Sequence, residues 1–355
     1  MIELATAMRS FMMTGFGEPL REQIGKRPEP TGSEVVLKVN ACGVCHSDVH
    51  IWEGHFDLGG GRQLDIRQGI GLPRALGHEI AGTVVAVGPD VQDVRPGDRR
   101  VVYPWIGCGE CARCQAGEEQ VCANQRNLGT RRDGGFASHV LVPHERYLID
   151  FGRVREELAC TYACSGLTAY SALNKALPLS PKDPLVIIGA GGVGLSAINL
   201  ARSVHGIAPI VAEIDRTKWD AALAAGASQV IDPRDADAVK QLLGATGGVA
   251  AVVDFVGAPS SVGFAMQVLR RGGRLIIVGL MGGAIELQLP LLPIRALSII
   301  GSYVGSLDEM RALVALAREG RVTEIPVQTR PLEEAQRTLD DLKQGKVVGR
   351  VVLTP

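Results

Sequence analysis

Along the first third of the chain, short β-branched runs alternate with glycine-rich breaks: VVLKV at 35–39, GTVVAVG at 82–88, RVVY at 100–103 and HVLV at 139–142. Short apolar runs bounded by turn residues predict a β-rich unit. From about residue 165 the rhythm changes. PLVIIG leads into VGLSAINLARSV, PIVAEI into RTKWDAALAAG, QVID into a helix near 237–245, AAVVDF into SSVGFAMQVLRR, and RLIIVG closes the series. Strands alternating with helices of about 10 to 15 residues predict βαβ units around a buried parallel sheet. Beyond about 303 the pattern predicts helices near 307–319 and 333–343, then a last strand, GRVVL, placed to return to the first unit and complete it. The fold class is therefore α/β, with a β-rich unit beside a doubly wound one.

Composition narrows the function. A chain of 355 residues with 46% hydrophobic content accommodates two domains, each with a core of its own. Lys and Arg number 37 against 38 Asp and Glu, so no global basic field exists to draw in nucleic acid or an anionic membrane. No apolar run reaches the roughly 18 to 20 residues of a membrane helix, and the start, MIELATAMRSF, has neither the basic nor the long apolar region of a secretory leader. These features set the expectation of a cytoplasmic protein. In such a setting, eight cysteines suggest metal binding or catalysis more than a disulfide framework.

Candidate chemistry begins at PLVIIGAGGVG, where a buried strand runs into Gly189, Gly191, Gly192 and Gly194 and then directly into a helix. Such a loop makes a tight turn, lets backbone approach a pyrophosphate and aims the positive end of the helix dipole at it. At the end of the next strand, Glu213 is the expected partner of the ribose hydroxyls; its carboxylate repels a 2′-phosphate and favours NAD over NADP. Asp215 is the alternative partner, and Arg216 the residue able to grip a phosphate instead.

Cys108, Cys111, Cys114 and Cys122 form C-x2-C-x2-C-x7-C in a glycine-punctuated loop. Four thiolates this close suit one tetrahedral zinc in a closed, structural site, with an iron–sulfur cluster as the rival. A second set is scattered: Cys45 in CGVCHSDVH, His78 in GHEIAG and Cys164 in ACSGLTAY. Each taken singly also reads as a buried core residue. Together, two thiolates and a neutral imidazole balance the charge of a zinc ion and leave one position open, which is the donor set of a catalytic site.

CGVCHSDVH, GHEIAGTVVAVG, the four-cysteine lobe, CSGLTAY and GAGGVG occur in an order that resembles the zinc-containing, medium-chain alcohol dehydrogenases, across essentially the whole chain. The similarity extends to the tetrameric archaeal and bacterial NAD-dependent branch, which also has a longer segment before the GHE histidine. The resemblance implies a GroES-like catalytic domain from 1–164 and 303–355, with a structural-zinc lobe at about 104–124, and a Rossmann dinucleotide-binding domain at 165–302. It also implies two zinc ions per subunit, NAD, and a homo-oligomer, tetramer or dimer, to which ALSIIGSYVG contributes an edge strand.

By the same resemblance, Cys45, His78 and Cys164 hold the catalytic zinc. Glu79 sits behind the metal, and Asp48 fixes a ligand imidazole by hydrogen bond. Ser47 takes the alcohol proton and passes it through the nicotinamide ribose to His50, which titrates in the range this needs. Ser47 is equally placed to cap a helix. His46 and Arg350 face the cofactor pyrophosphate, Arg350 having the alternative of a surface strand position. Val256 and Val278 flank the nicotinamide, or are plain core residues.

The family places the counterparts of Trp52, Phe56, Trp105 and Ile106 around the substrate cleft. With aromatic residues at only 4% of the chain, tryptophans beside both metal motifs suggest an apolar cleft, suited to aliphatic or aromatic alcohols and carbonyl compounds. The runner-up is a sugar or polyol dehydrogenase on the same scaffold. A non-catalytic nucleotide-binding module is opposed by the complete ligand set, and a zinc-free quinone reductase has no use for it. The glycine-rich stretch at 59–72 is either an active-site wall or lid or a tolerated surface insertion. Cys42 and Cys160 read as small buried residues outside both sets.

Overall fold

A computed structural model describes residues 7–355. The first six residues, where the absence of a secretory leader was expected and the first predicted unit begins, lie outside the described residues. The β-rich unit is organised around the strand Val35–Val44, which is buried along most of its length. Its sheet runs Leu148–Ile149, Arg99–Val102, Glu79–Val87, Val35–Val44, Arg350–Thr354 and Val327–Pro331, with His139–Val142 pairing the start of the central strand. The last strand does return: Val351 pairs antiparallel with Val44. Thus the two ends of the chain meet at the residue that precedes Cys45.

The middle of the chain forms a six-stranded, all-parallel sheet in the order Gln229–Ile231, Ile210–Ala212, Leu185–Ile188, Val249–Asp254, Leu269–Ile277 and Ser298–Gly301. In order of appearance this is 3-2-1-4-5-6, the doubly wound Rossmann arrangement, whose ligand crevice lies where the order reverses. That point falls between the carboxyl ends of Leu185–Ile188 and Val249–Asp254. The helix Gly192–Ser203 starts there and packs against Ser165–Ala176, the helix that follows Cys164.

Two segments differ from the sequence pattern. The helix expected through SSVGFAMQVLRR stops at Val268, because Leu269 joins the ladder opposite Val249. The register then shifts to Ala251 opposite Arg274, so Arg270–Gly273 form a bulge with Gly272 at positive φ. The glycine-rich stretch, read from sequence only as a wall, lid or surface insertion, begins within a hairpin, His55–Gly59 with Arg62–Asp65. Its Asp57 carbonyl accepts the Gly283 N–H at 3.4 Å, and a Cβ on Gly59 would stand 2.7 Å from the Ala284 backbone nitrogen. The hairpin therefore seats directly on the loop after the parallel strand Leu269–Ile277. No helix among the described residues is long and apolar enough to cross a membrane.

The units are also joined where the chain leaves the parallel sheet. Tyr103 is fully buried, and its hydroxyl donates to the Gly305 carbonyl at 2.9 Å. Removing the hydroxyl strands that buried acceptor. Tyr103→Phe is expected to lower stability by about 1–3 kcal/mol in reversible denaturant unfolding.

Candidate active site and metal centres

The strand Val35–Val44 delivers Cys45 as the N-cap of the helix His46–Glu53. Asp48, three residues on, completes a capping box: its Oδ2 accepts the Cys45 N–H at 2.9 Å. Its Oδ1 accepts the Gly77 N–H and faces His78 Nδ1, both at 3.1 Å. Asp48 is wholly buried, so these three donors replace its hydration. With Nδ1 engaged, the opposite nitrogen of His78, Nε2, is left buried with no hydrogen-bond partner.

That nitrogen points into the scattered set. Cys45 Sγ and Cys164 Sγ lie 4.0 Å apart, and together with His78 they offer ligand atoms all within 4.8 Å of one another. Two sulfurs bound at about 2.3 Å around a tetrahedral ion sit roughly 3.8 Å apart, so the donors fit zinc. The contact between the sulfurs sets their acidities against each other. The Cys164 sulfur holds Cys45 well below the ordinary thiol range, and the same contact, with burial, pushes Cys164 well above it. A divalent ion relieves that conflict by permitting both to ionise.

Glu79 follows His78 and is also wholly buried. Its Oε1 accepts the N–H of Ser165, next to Cys164, at 3.0 Å; its Oε2 pairs with Arg350 at 2.5 Å. Burial pushes the Glu79 carboxyl up, and Arg350 pulls it back down. Arg350 is 4% exposed, which rules out the surface-strand reading. It lies against the phosphate-type loop, since a Cβ on Gly192 would stand 2.3 Å from Arg350 Cδ.

The loop itself has the shape a pyrophosphate needs. Gly189 has φ of 91°, and a Cβ on Gly194 would come within 1.9 Å of the Gly189 carbonyl oxygen. A Cβ on Gly191, by contrast, would meet nothing within 4 Å, so this face of the turn is open for a ligand to approach. Glu213 closes the crevice: Oε2 accepts the Ala190 N–H at 2.6 Å and Oε1 the Asp215 N–H at 2.8 Å. Asp215, the alternative, is spent on capping its own turn, accepting from Thr217 N and Oγ1. Arg216 lies over the Trp219 ring. Val256 and Val278 stand half-buried just past the carboxyl ends of Val249–Asp254 and Leu269–Ile277.

Ser47 Oγ is 3.8 Å from Cys45 Sγ, and His46 is exposed at the start of the same helix. His50, on its last turn, packs at a tilt against Phe56 of the hairpin with ring centroids 4.8 Å apart. Burial lowers the His50 pKa, as does the neighbouring His46. Trp105 lies between two ligand segments: its ring centroid is 5.2 Å from that of His78, and its indole N–H donates to the Ala163 carbonyl at 2.9 Å. Ile106 is buried beside it. Trp52 departs from expectation. Its N–H donates to the Glu18 carbonyl at 2.6 Å and Lys343 lies over its ring, so the indole packs between helices His46–Glu53 and Ala335–Lys343 instead of facing a cleft. The sequence reading missed Tyr303, which is 46% exposed and set edge-on to Trp105 at 5.7 Å. Only the return crossing of the chain brings it there, and no local motif marks it.

In the lobe, sulfur pairs Cys108–Cys114, Cys111–Cys114 and Cys111–Cys122 are separated by 3.8, 3.5 and 3.8 Å, the spacing of one tetrahedral ion. Backbone N–H groups of Cys111, Cys108 and Asn124 point at these sulfurs. Those from Glu110 and Cys111 draw Cys108 down to about 6. Cys42 and Cys160 are buried free cysteines.

A doubly wound nucleotide sheet joined to a β-rich unit with two thiolate clusters defines a metal-dependent dehydrogenase scaffold. Comparison with known proteins agrees: residues 31–151 match the alcohol dehydrogenase GroES-like domain and residues 192–319 the zinc-binding dehydrogenase domain. An NAD-dependent alcohol dehydrogenase of Sulfurisphaera tokodaii is 38% identical over 98% of this chain and 100% of its own length. A D-arabinose 1-dehydrogenase (NADP(+)) of Saccharolobus solfataricus is 31% identical over 98% of this chain and 97% of its own. The solved alcohol dehydrogenase of Aeropyrum pernix superposes with a TM-score of 0.87 at 31% identity, covering 98% of this chain and 100% of that one. The chain belongs to the zinc-containing, medium-chain alcohol dehydrogenase family.

Two substitutions separate the centres. Asp48→Asn is expected to weaken one of two bound zinc ions about 10- to 100-fold, read by metal titration against a chelator. Cys111→Ser is expected to lose the other zinc and lower the melting temperature while the remaining ion stays bound.

Proposed function

We propose that the chain is a zinc-dependent, NAD-linked alcohol dehydrogenase that interconverts an aliphatic or aromatic alcohol with its carbonyl compound. The observation that carries this reading is the buried Cys45–His78–Cys164 set with its unpartnered His78 Nε2, beside a Glu79 whose partner Arg350 packs against the Gly192 loop. When bound, zinc supplies Lewis acidity at the reacting oxygen and NAD the hydride acceptor.

The chain's own groups bind, orient and move a proton. Glu213 holds the adenosine ribose and disfavours a 2′-phosphate, while His46 and Arg350 meet the pyrophosphate at the loop. Val256 and Val278 buttress the nicotinamide. Ser47 takes the alcohol proton, which reaches solvent through His50. Glu79 and Asp48 keep the ligands in register from behind. Trp105, Ile106, Phe56 and Tyr303 give the substrate an apolar wall, which favours simple alcohols over sugars. We assign residues 1–164 and 303–355 to the catalytic domain, with the lobe at about 104–124, and 165–302 to the nucleotide domain. The outer edge of Ser298–Gly301, flanked by exposed Leu289, Leu291 and Ile294, supports a homodimer or tetramer. Both clusters require reduced thiols, which supports a cytoplasmic location.

The direct test is a screen of alcohols, carbonyl compounds, polyols and aldoses with NAD(H) and NADP(H), with and without a zinc chelator. Chelator-sensitive turnover of simple alcohols with NAD is expected; preference for aldoses with NADP overturns the substrate reading. Cys45→Ala is expected to abolish turnover and retain NADH binding by fluorescence titration.

Proton removal also sets a pH dependence. In alcohol oxidation His50 accepts a proton only when neutral, and its lowered pKa extends the neutral form to more acidic pH. Alcohol oxidation is therefore expected to persist below pH 6.5, the ordinary histidine value, and to fall only as His50 protonates. His50→Gln should lower kcat/KM on the order of 100-fold and remove that acid limb from the pH profile.

A further inference from the structure

The four-cysteine lobe reaches the cleft through a carboxylate that neither metal centre uses. Glu119 lies in the short turn Glu119–Val121, between Cys114 and Cys122, and is 4% exposed. Its Oε2 accepts the N–H of Gly107 at 2.9 Å and the hydroxyl of Tyr147 at 2.7 Å, and its Oε1 faces the Arg146 guanidinium at 2.9 Å. Gly107 directly follows Trp105 and Ile106, and it is pressed into the lobe: a Cβ there would stand 2.4 Å from Cys114 Sγ and 3.2 Å from Glu119 Cβ. Trp105 carries the path onward, with its ring beside His78 and its N–H on the carbonyl that precedes Cys164.

A buried carboxylate is costly unless donors replace its water, and here three donors from outside its own turn do so. Four thiolates around one ion already hold a lobe together without such a pin. The pin instead ties the lobe to the backbone that carries the cleft wall.

We propose that Glu119 is a positioning residue for the substrate: it locks the four-cysteine lobe to the Trp105–Gly107 segment and thereby sets the wall against which the alcohol lies. The proposal rests on the alcohol dehydrogenase reading and refines it. Glu119→Gln keeps the volume but turns an amide N–H toward groups that themselves donate.

The experiment uses the zinc-loaded holoenzyme labelled with 5-fluorotryptophan, whose three tryptophans give three 19F resonances. For Glu119→Gln, the KM for alcohol is expected to rise about tenfold, because small misplacements at a reacting centre are amplified, while the KM for NAD stays within about twofold. The Trp105 resonance should shift while those of Trp52 and Trp219 hold. Glu119→Asp, which keeps the charge, should restore part of both effects. If Glu119→Gln does not fold, Tyr147→Phe, which removes one donor, should move the same readouts in the same direction by less. A lower melting temperature with unchanged alcohol KM and unchanged Trp105 resonance overturns the proposal. Should the wild-type enzyme oxidise no alcohol, the functional reading falls separately, and the Trp105 resonance alone then decides whether Glu119 positions the wall.

Discussion

The site depends first on how one carboxylate, Asp48, distributes its lone pairs. Through one oxygen it closes the helix that begins at Cys45; through the other it holds both the Gly77 backbone and His78 Nδ1. Buried without those donors, it would cost several kcal/mol. With them, the first thiolate and the imidazole are fixed relative to each other before any metal arrives. The choice of nitrogen follows as well: because Nδ1 donates to Asp48, only Nε2 can serve as a ligand.

The third ligand and the nucleotide site are coupled by a second buried pair. Glu79 holds the backbone after Cys164, and Arg350, its partner, comes from the last strand of the chain and rests under Gly192. A buried ion pair adds little net stability, since desolvation offsets most of the attraction. Its value here is positional. It fixes the distance between the metal donors and the dinucleotide loop, and it explains why the last strand must return to Val44. One such constraint sets the ligand geometry within the β-rich unit, and the other sets that unit against the parallel sheet.

Much of this was readable from the chain. The parallel sheet announces itself because strands buried on both faces are continuous apolar runs, and the four-cysteine lobe because its ligands fall within one short loop. The donors of the scattered set are spread from Cys45 to Cys164, and periodicity is silent about their convergence, which the structure brings within 4.8 Å; only the resemblance joined them. The hairpin at His55–Asp65 was illegible because its strands are short, largely exposed even at Leu58 and Leu64, and gain their place from glycine contacts with Gly282–Ala284. Trp52 misled for a related reason. Proximity to a metal motif does not give direction, and the indole is turned away by Glu18 and by a helix nearly three hundred residues further on. Tyr303 and Glu119 gain their neighbours only through tertiary contacts that no local pattern encodes.

The most direct measurement is anomalous diffraction at the zinc edge from crystals of metal-replete protein. Two peaks per chain are expected, one inside the four-cysteine lobe and one bonded to Cys45 Sγ and Cys164 Sγ at about 2.3 Å and to His78 Nε2 at about 2.0–2.1 Å. A single peak, confined to the lobe while Nε2 of His78 pairs with some other group, would contradict the account at its root.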